Sequence, residues 1–355
     1  MFHLDTTVLP DGERRDLFVV DGRFTFDPVE NAETIVTGGF AIPGLVDAHA
    51  HLPLASPAES DSMDDRIRAS ARAQLEAGVL LVREPGSPSR AARDLGPADG
   101  LPRIHTAGRF LAAPGRYFPG LGREVTADDL PEAVADELAW SGRWAKVIGD
   151  FFSPDGTITA SWPTEALVEA AARAHAAGGR ITMHCMTIAA VEQALEAGFD
   201  AIEHGTWLTT DLVDQMGRQG MTWVPTLAIL DPLRQMVTAN PQADAESLLA
   251  GFDAHAGMVR YGAERGVRVL AGTDAGMVPH GIVGSEIRLL AAAGLSAHDA
   301  LAAGSWEARR YLGLPLIEEG GLADLVVYPD DPTEDLSVLD HPSLVMLAGT
   351  VVRRA

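Results

Sequence analysis

Short apolar runs alternate with longer Ala-rich stretches along most of this chain, and the two kinds of segment differ in period. The runs at residues 44–48, 79–83, 103–107, 145–148, 180–184, 201–204, 222–226 and 268–271 are built largely on aliphatic and β-branched residues, as buried strands are. Between them, residues 66–77, 131–140, 164–177, 188–197, 212–219 and 247–265 space apolar side chains with helical period, and several of these stretches close on Gly. Eight strands with intervening helices predict an α/β fold, a (β/α)8 TIM-like barrel whose working residues sit at the C-terminal ends of the strands.

The ends of the chain read differently. Leu17 to Phe26 alternates around an Asp21-Gly22 pair, a hairpin signal, and residues 323–327 and 345–352 supply further strands. We expect residues 1–43 and 315–355 to pair into a small β-sandwich domain beside a barrel of residues 44–314.

Composition narrows the function classes. With 46% apolar and 22% charged residues the chain is globular, and no apolar run reaches the ~18 residues of a membrane span. The first five residues lack the basic start of a signal peptide and Cys185 is the only cysteine, so a cytoplasmic location is expected. A formal net charge of −23 repels phosphate backbones and acidic lipid. The expected partner is a small-molecule substrate, with no nucleic acid and no membrane, and the expected assembly is a homo-oligomer.

Of 27 basic side chains, one is lysine, Lys146. Arg stays protonated, whereas a desolvated Lys can lose its proton and take up CO2 as a carbamate, an anionic oxygen ligand able to bridge two metals. A leftover surface Lys in an Arg-biased composition is the bland alternative, but residues 144–149 are an apolar run that points Lys146 inward. His49 and His51 share one face at the end of the first strand, His184 ends the fifth, His204 ends the sixth and Asp274 follows the eighth. A lone His at a strand end is usually packed or solvated. Four imidazoles, a carboxylate and a carbamate converging on one mouth suit two divalent ions with zinc-like preferences.

At these residues the chain resembles the amidohydrolase superfamily. Residues 43–52 (Pro-Gly-Leu-Val-Asp-Ala-His-Ala-His-Leu) look like that family's first-strand motif, Ile202-Glu203-His204-Gly205 like its sixth and Gly272-Thr273-Asp274 like its eighth. Residues 321–327 are similar to the segment that returns to the β-sandwich. Lys on strand four with Glu-His-Gly on strand six resembles the imidazolonepropionase-related branch that includes metal-dependent Xaa-Pro dipeptidases. The resemblance implies a binuclear centre, with His49, His51 and Asp274 on one ion, His184 and His204 on the other, and carboxylated Lys146 plus hydroxide bridging them. It implies a metal-dependent hydrolase of an amide C–N bond, in a dipeptide or N-acyl compound, with Asp274 and Lys146 as catalytic residues. Asp274 would take the proton from hydroxide and pass it to the leaving amine.

The substrate side is thinner. Arg116 and Tyr117 follow strand three, where related dipeptidases often carry Gly-Gly-His, and Tyr117 either replaces that His as a donor or packs. Trp207, Met277 and His280 flank ligand-bearing strand ends and are candidate substrate contacts, while core packing accounts for Trp223. Asp150-Phe151-Phe152 replaces a small Gly-rich run, a departure from the dipeptidase pattern. Arg83-Glu84 reads as a buried ion pair or as support for the first metal's ligands, and Cys185 should face away from His184. His3, His105, His175, His255, His298 and His341 read as structural or solvated. A lactonase or esterase could use the same centre. A mononuclear deaminase or chlorohydrolase would leave Lys146 idle and lacks its usual Glu one helical step beyond a metal His.

Overall fold

The computed structural model describes residues 1–54 and 62–354. Its centre is an α/β arrangement of parallel strands. Leu45–Asp47, Val79–Glu84 and Arg103–Thr106 form one parallel sheet. Phe110–Ala112, Trp144–Ile148, Arg180–Cys185, Ala201–His204, Thr222–Val224 and Arg268–Val269 form a second, with Gly122–Glu124 at its edge. The two sheets meet on both sides. Ser87 and Arg109 bridge them at one seam; at the other Ala48 N donates to Ala271 O (2.9 Å) and Ala50 bridges Ala275.

Strand three differs from the run expected at residues 103–107. It ends at Thr106 and resumes at Phe110, and only the second piece pairs with Trp144–Ile148. The break is built by Gly108, at φ +78°, where a Cβ would lie 2.4 Å from the Glu137 carboxylate. Strand seven stops at Val224 because Pro225 has no N–H to donate.

Helices of the expected period cover the strands, from Met63–Glu76 to Ala245–Glu264. Ser62, Thr187 and Thr209 cap three of them by accepting a backbone N–H two or three residues into the helix, and Gly142, Gly198 and Gly220 end three in the left-handed conformation. Two helices that the periodicity did not mark, Leu230–Ala239 and Val283–Ala292, follow strands seven and eight. No helix among the described residues is long and apolar enough to cross a membrane.

The chain ends share one seven-stranded sheet, in the order Thr350–Arg354, Leu344–Leu347, Leu325–Tyr328, Glu33–Ile42, Phe2–Val8, Glu13–Val20, Arg23–Thr25. The expected hairpin turns at Asp21 and Gly22, both at positive φ. Leu4, Leu17, Phe24, Leu325 and Leu344 form a core of their own beneath it. Asp324 ties this sheet to the parallel strands, accepting from Arg103 (2.9 Å) and Arg309 (3.2 Å).

Candidate metal centre

His49 and His51 leave their strand on one side, as i, i+2 spacing requires, and their Nε2 atoms lie 3.1 Å apart. His49 Nδ1 is 2.8 Å from the Glu203 carboxylate and His51 Nδ1 is 2.9 Å from the Gly86 carbonyl. A carbonyl only accepts, and so does an ionised carboxylate, so both Nδ1 atoms donate, and in the neutral rings both Nε2 atoms present lone pairs. Asp274 Oδ1 stands 3.1 Å from His51 Nε2 and 3.4 Å from His49 Nε2. With both rings neutral, three electron-rich atoms this close repel each other unless a proton or a metal cation lies among them.

Strand geometry alone does not assemble the rest. Consecutive strand residues face opposite sides, so Glu203 and His204 would diverge in regular extended chain. His204 adopts φ +68°, which turns its ring inward beside Glu203. Asp274 (φ +55°) and Thr226 (φ +53°) make the same reversal at two neighbouring strand ends. Left-handed conformations cost such residues about 1–3 kcal/mol each, and here they cluster at one mouth. Thr226 Oγ1 donates to Pro225 O (2.8 Å) and accepts from His204 Nδ1 (2.9 Å), which leaves His204 Nε2 as a lone pair. Ligand atoms of His49, His204 and Asp274 all lie within 4.8 Å of one another.

His184 packs against His204 with ring centroids 4.6 Å apart. Its buried Nε2 has no hydrogen-bond partner among the described residues and lies 3.7 Å from Asp150 Oδ1. Burial lowers its pKa to about 3, so the ring is neutral near pH 7, the form that binds metals. Asp150 accepts from Met186 N, Thr187 N and Thr187 Oγ1, and burial raises its carboxyl to about 6. Lys146 is 1% exposed; burial pulls its ammonium down to about 8, against the opposing pull of Glu203.

The sequence suggested support from Arg83-Glu84. Arg83 does support the centre, but its partner is Glu203: Nη1 reaches Glu203 Oε1 at 2.9 Å and Ala48 O at 3.0 Å. Glu203 then holds His49. Glu84 accepts instead from Thr106, and burial raises it to about 8, a neutral acid. Cys185 is buried in the apolar core.

His49, His51, Lys146, His184, His204 and Asp274 all line one cavity of about 490 Å3. Tyr117 lines it too, its ring 5.2 Å from Phe110, 5.1 Å from Phe151 and 6.4 Å from His184. Burial raises its phenol pKa, so Tyr117 stays a donor. Three expected contacts lie elsewhere. The Arg116 guanidinium donates to Phe151 O, Ser153 Oγ and Thr159 O, because the Asp150–Phe152 and Ile158–Ala160 hairpin offers those acceptors. Trp207 donates to Ser247 O and packs on Gly251, and His280 meets Leu54 O and Gln74. Met277 lines the cavity, and Trp223 is a core residue whose Nε1 donates to His204 O. His255, read as structural, also reaches the cavity wall.

The amidohydrolase family model matches residues 40–352. Uncharacterized proteins of Mycobacterium bovis and Mycobacterium tuberculosis are each 38% identical to this chain over 358 residues, covering 98% of it and 94% of their own length. A putative prolidase from Bifidobacterium longum has a similar structure, with a TM-score of 0.86 and 27% identity over 99% of this chain and 94% of that one. A Xaa-Pro dipeptidase solved with bound methionine shares the fold at a TM-score of 0.84 and 20% identity, over 99% of both chains. The chain belongs to the amidohydrolase family.

Proposed function

We propose that this enzyme cleaves an amide C–N bond in a small N-acyl compound or dipeptide with the help of two divalent ions, zinc first among them. His49, His51 and Asp274 would hold one ion and His184 and His204 the other, with Lys146, carboxylated by CO2, between them. The observation that carries this reading is the convergence of the His49 and His51 lone pairs on the Asp274 carboxylate at 3.1 to 3.4 Å. An orphaned, neutral His184 fits the same set. A lysine with a pKa of about 8 keeps roughly a tenth of its amine unprotonated at pH 7, the form that reacts with CO2.

When bound, the ions supply Lewis acidity, activating water and polarising the scissile carbonyl. The protein does the remaining work. Asp274 accepts the proton of the attacking water at a carboxylate oxygen and returns it to the leaving nitrogen. Tyr117 O–H donates to the carbonyl oxygen. Glu203 and Thr226 fix His49 and His204 in the tautomers that leave Nε2 free.

With this reading goes a closed (β/α)8 barrel of residues 44–314 and a small β-sandwich of residues 1–43 and 315–355. Closure is supported by the Ala48–Ala271 bond and by Asp47, which accepts from Thr273 across the seam. The division is supported by the separate core under the terminal sheet. A cytoplasmic location is favoured by the single, unpaired Cys185. Self-association is an expectation that sedimentation would check.

Metal analysis tests the centre: two equivalents per chain are expected, falling in Lys146→Ala. Screening dipeptides, N-acyl amines and lactones on one preparation tests the reaction. Ammonia release from aminated heterocycles alone, at one metal per chain, would refute it.

A further inference from the structure

Among the described residues, the cavity walls above the ligand cluster are almost free of charge. Phe118, Phe151, Phe152, Leu233, Met236 and Phe252 contribute to them, and among the described residues no Arg lines the cavity and Lys146 is its only ammonium. Residues 55–61 contain no Lys or Arg in their sequence. Arg116 and Arg234 each neighbour a lining residue in sequence, and both are engaged: Arg116 by the hairpin carbonyls, and Arg234, on the helix that supplies Leu233 and Met236, by Asp253 at 2.7 Å.

One polar residue of the wall points the same way. His255 is 1% exposed, and its Nε2 lies 3.0 Å from Pro225 O, so that nitrogen carries the hydrogen. Its Nδ1 is left as an acceptor with no partner among the described residues. An acceptor repels a carboxylate and welcomes an N–H or O–H. At the mouth, Phe118, Met236 and Met277 are 45%, 48% and 48% exposed, an apolar rim in a chain of net charge −23. A free carboxylate entering this cavity would lose its water and gain no cation beyond the centre itself.

We infer that the substrate portion beyond the scissile bond is neutral and apolar, an aromatic or branched aliphatic group without a free carboxylate. This rests on the amide-cleaving reading above and selects, within it, N-acyl amines over dipeptides.

The test uses a matched pair on the metal-loaded enzyme: N-hexanoyl-L-phenylalanine and N-hexanoyl-2-phenylethylamine, which differ by one carboxylate. Amine release gives kcat/KM for each, and the ligand-induced rise in Tm reports binding whether or not either is cleaved. The neutral member should be favoured at least tenfold in kcat/KM and should raise Tm at the lower concentration. Equal or better use of the acid, by either readout, overturns the inference, and so does a Tm unmoved by both compounds. Preferential binding of the neutral member without cleavage of either supports a neutral, apolar ligand for the cavity and counts against the amide-cleaving reading alone. Leu233→Arg and, should that variant fold poorly, Met236→Arg place a cation on the wall; either should narrow the preference while metal content stays at two.

Discussion

Replacing Glu203 by Gln tests whether the ligand cluster is held from beneath by a buried charge. Glu203 is fully buried and accepts from His49 Nδ1 (2.8 Å), Arg83 Nη1 (2.9 Å) and Thr182 Oγ1. Gln keeps the size and one acceptor oxygen, but its amide turns donors toward donors and leaves the Arg83 guanidinium without a counter-charge. Removing one partner of a buried ion pair costs about 3–5 kcal/mol. At ~2.1 cal/mol/K of unfolding entropy per residue, a 355-residue chain loses about 5 °C of Tm for 4 kcal/mol. His49 also loses the carboxylate that fixes its tautomer, which should weaken metal binding by roughly 10–100-fold. Thermal melts of chelator-treated protein read the first effect alone, and titration against a competing chelator reads the second. Arg83→Met with Glu203→Leu separates them: an apolar pair of similar volume should recover much of the stability and none of the metal affinity. A Glu203→Gln protein with unchanged Tm and unchanged metal affinity would refute the claim that this carboxylate organises the centre.

Other outcomes follow from the same contacts. Lys146→Ala should bind about one metal equivalent or less, and a carbamate carbon resonance seen after exposure to labelled bicarbonate should vanish with it. Burial works against ionisation of Asp324, yet Arg103 and Arg309 hold it below its ordinary value of 3.8, so its stabilising effect is complete above about pH 4 and is lost as pH falls through the folded-state value. Asp324→Asn should therefore cost about 3 kcal/mol at pH 7, and denaturant melts should show that deficit shrinking in acid. Arg116→Ala removes the bonds to Phe151 O, Ser153 Oγ and Thr159 O, and hydrogen exchange should quicken across residues 150–160 by the equivalent of about 1–3 kcal/mol of lost local stability.

The parallel strands, the hairpin at Asp21-Gly22 and the pairing of the chain ends were legible because each is written as a local period or turn. Four His and Asp274 were legible as ligand candidates because they fall at strand ends, and Lys146 because it is the one lysine and lies in an apolar run; all six line one cavity. What stayed hidden depends on backbone reversals that no period encodes. A strict two-residue alternation assigns Glu203 and His204 to opposite faces, and only the φ of +68° at His204 brings both to the centre. The partner of Arg83 was hidden for the same reason, since the neighbour in sequence, Glu84, points away while Glu203 arrives from four strands further along the chain. Arg116 was misplaced because a charge beside a mouth suggests a ligand, whereas a guanidinium satisfied by backbone carbonyls has little reason to leave them. On the proposed reading, the residues that would set up the chemistry lie on or just beyond the parallel strands, while those that would choose the substrate lie on the hairpin and on the Leu230–Ala239 and Ala245–Glu264 helices, so the two sets sit on different elements around one cavity.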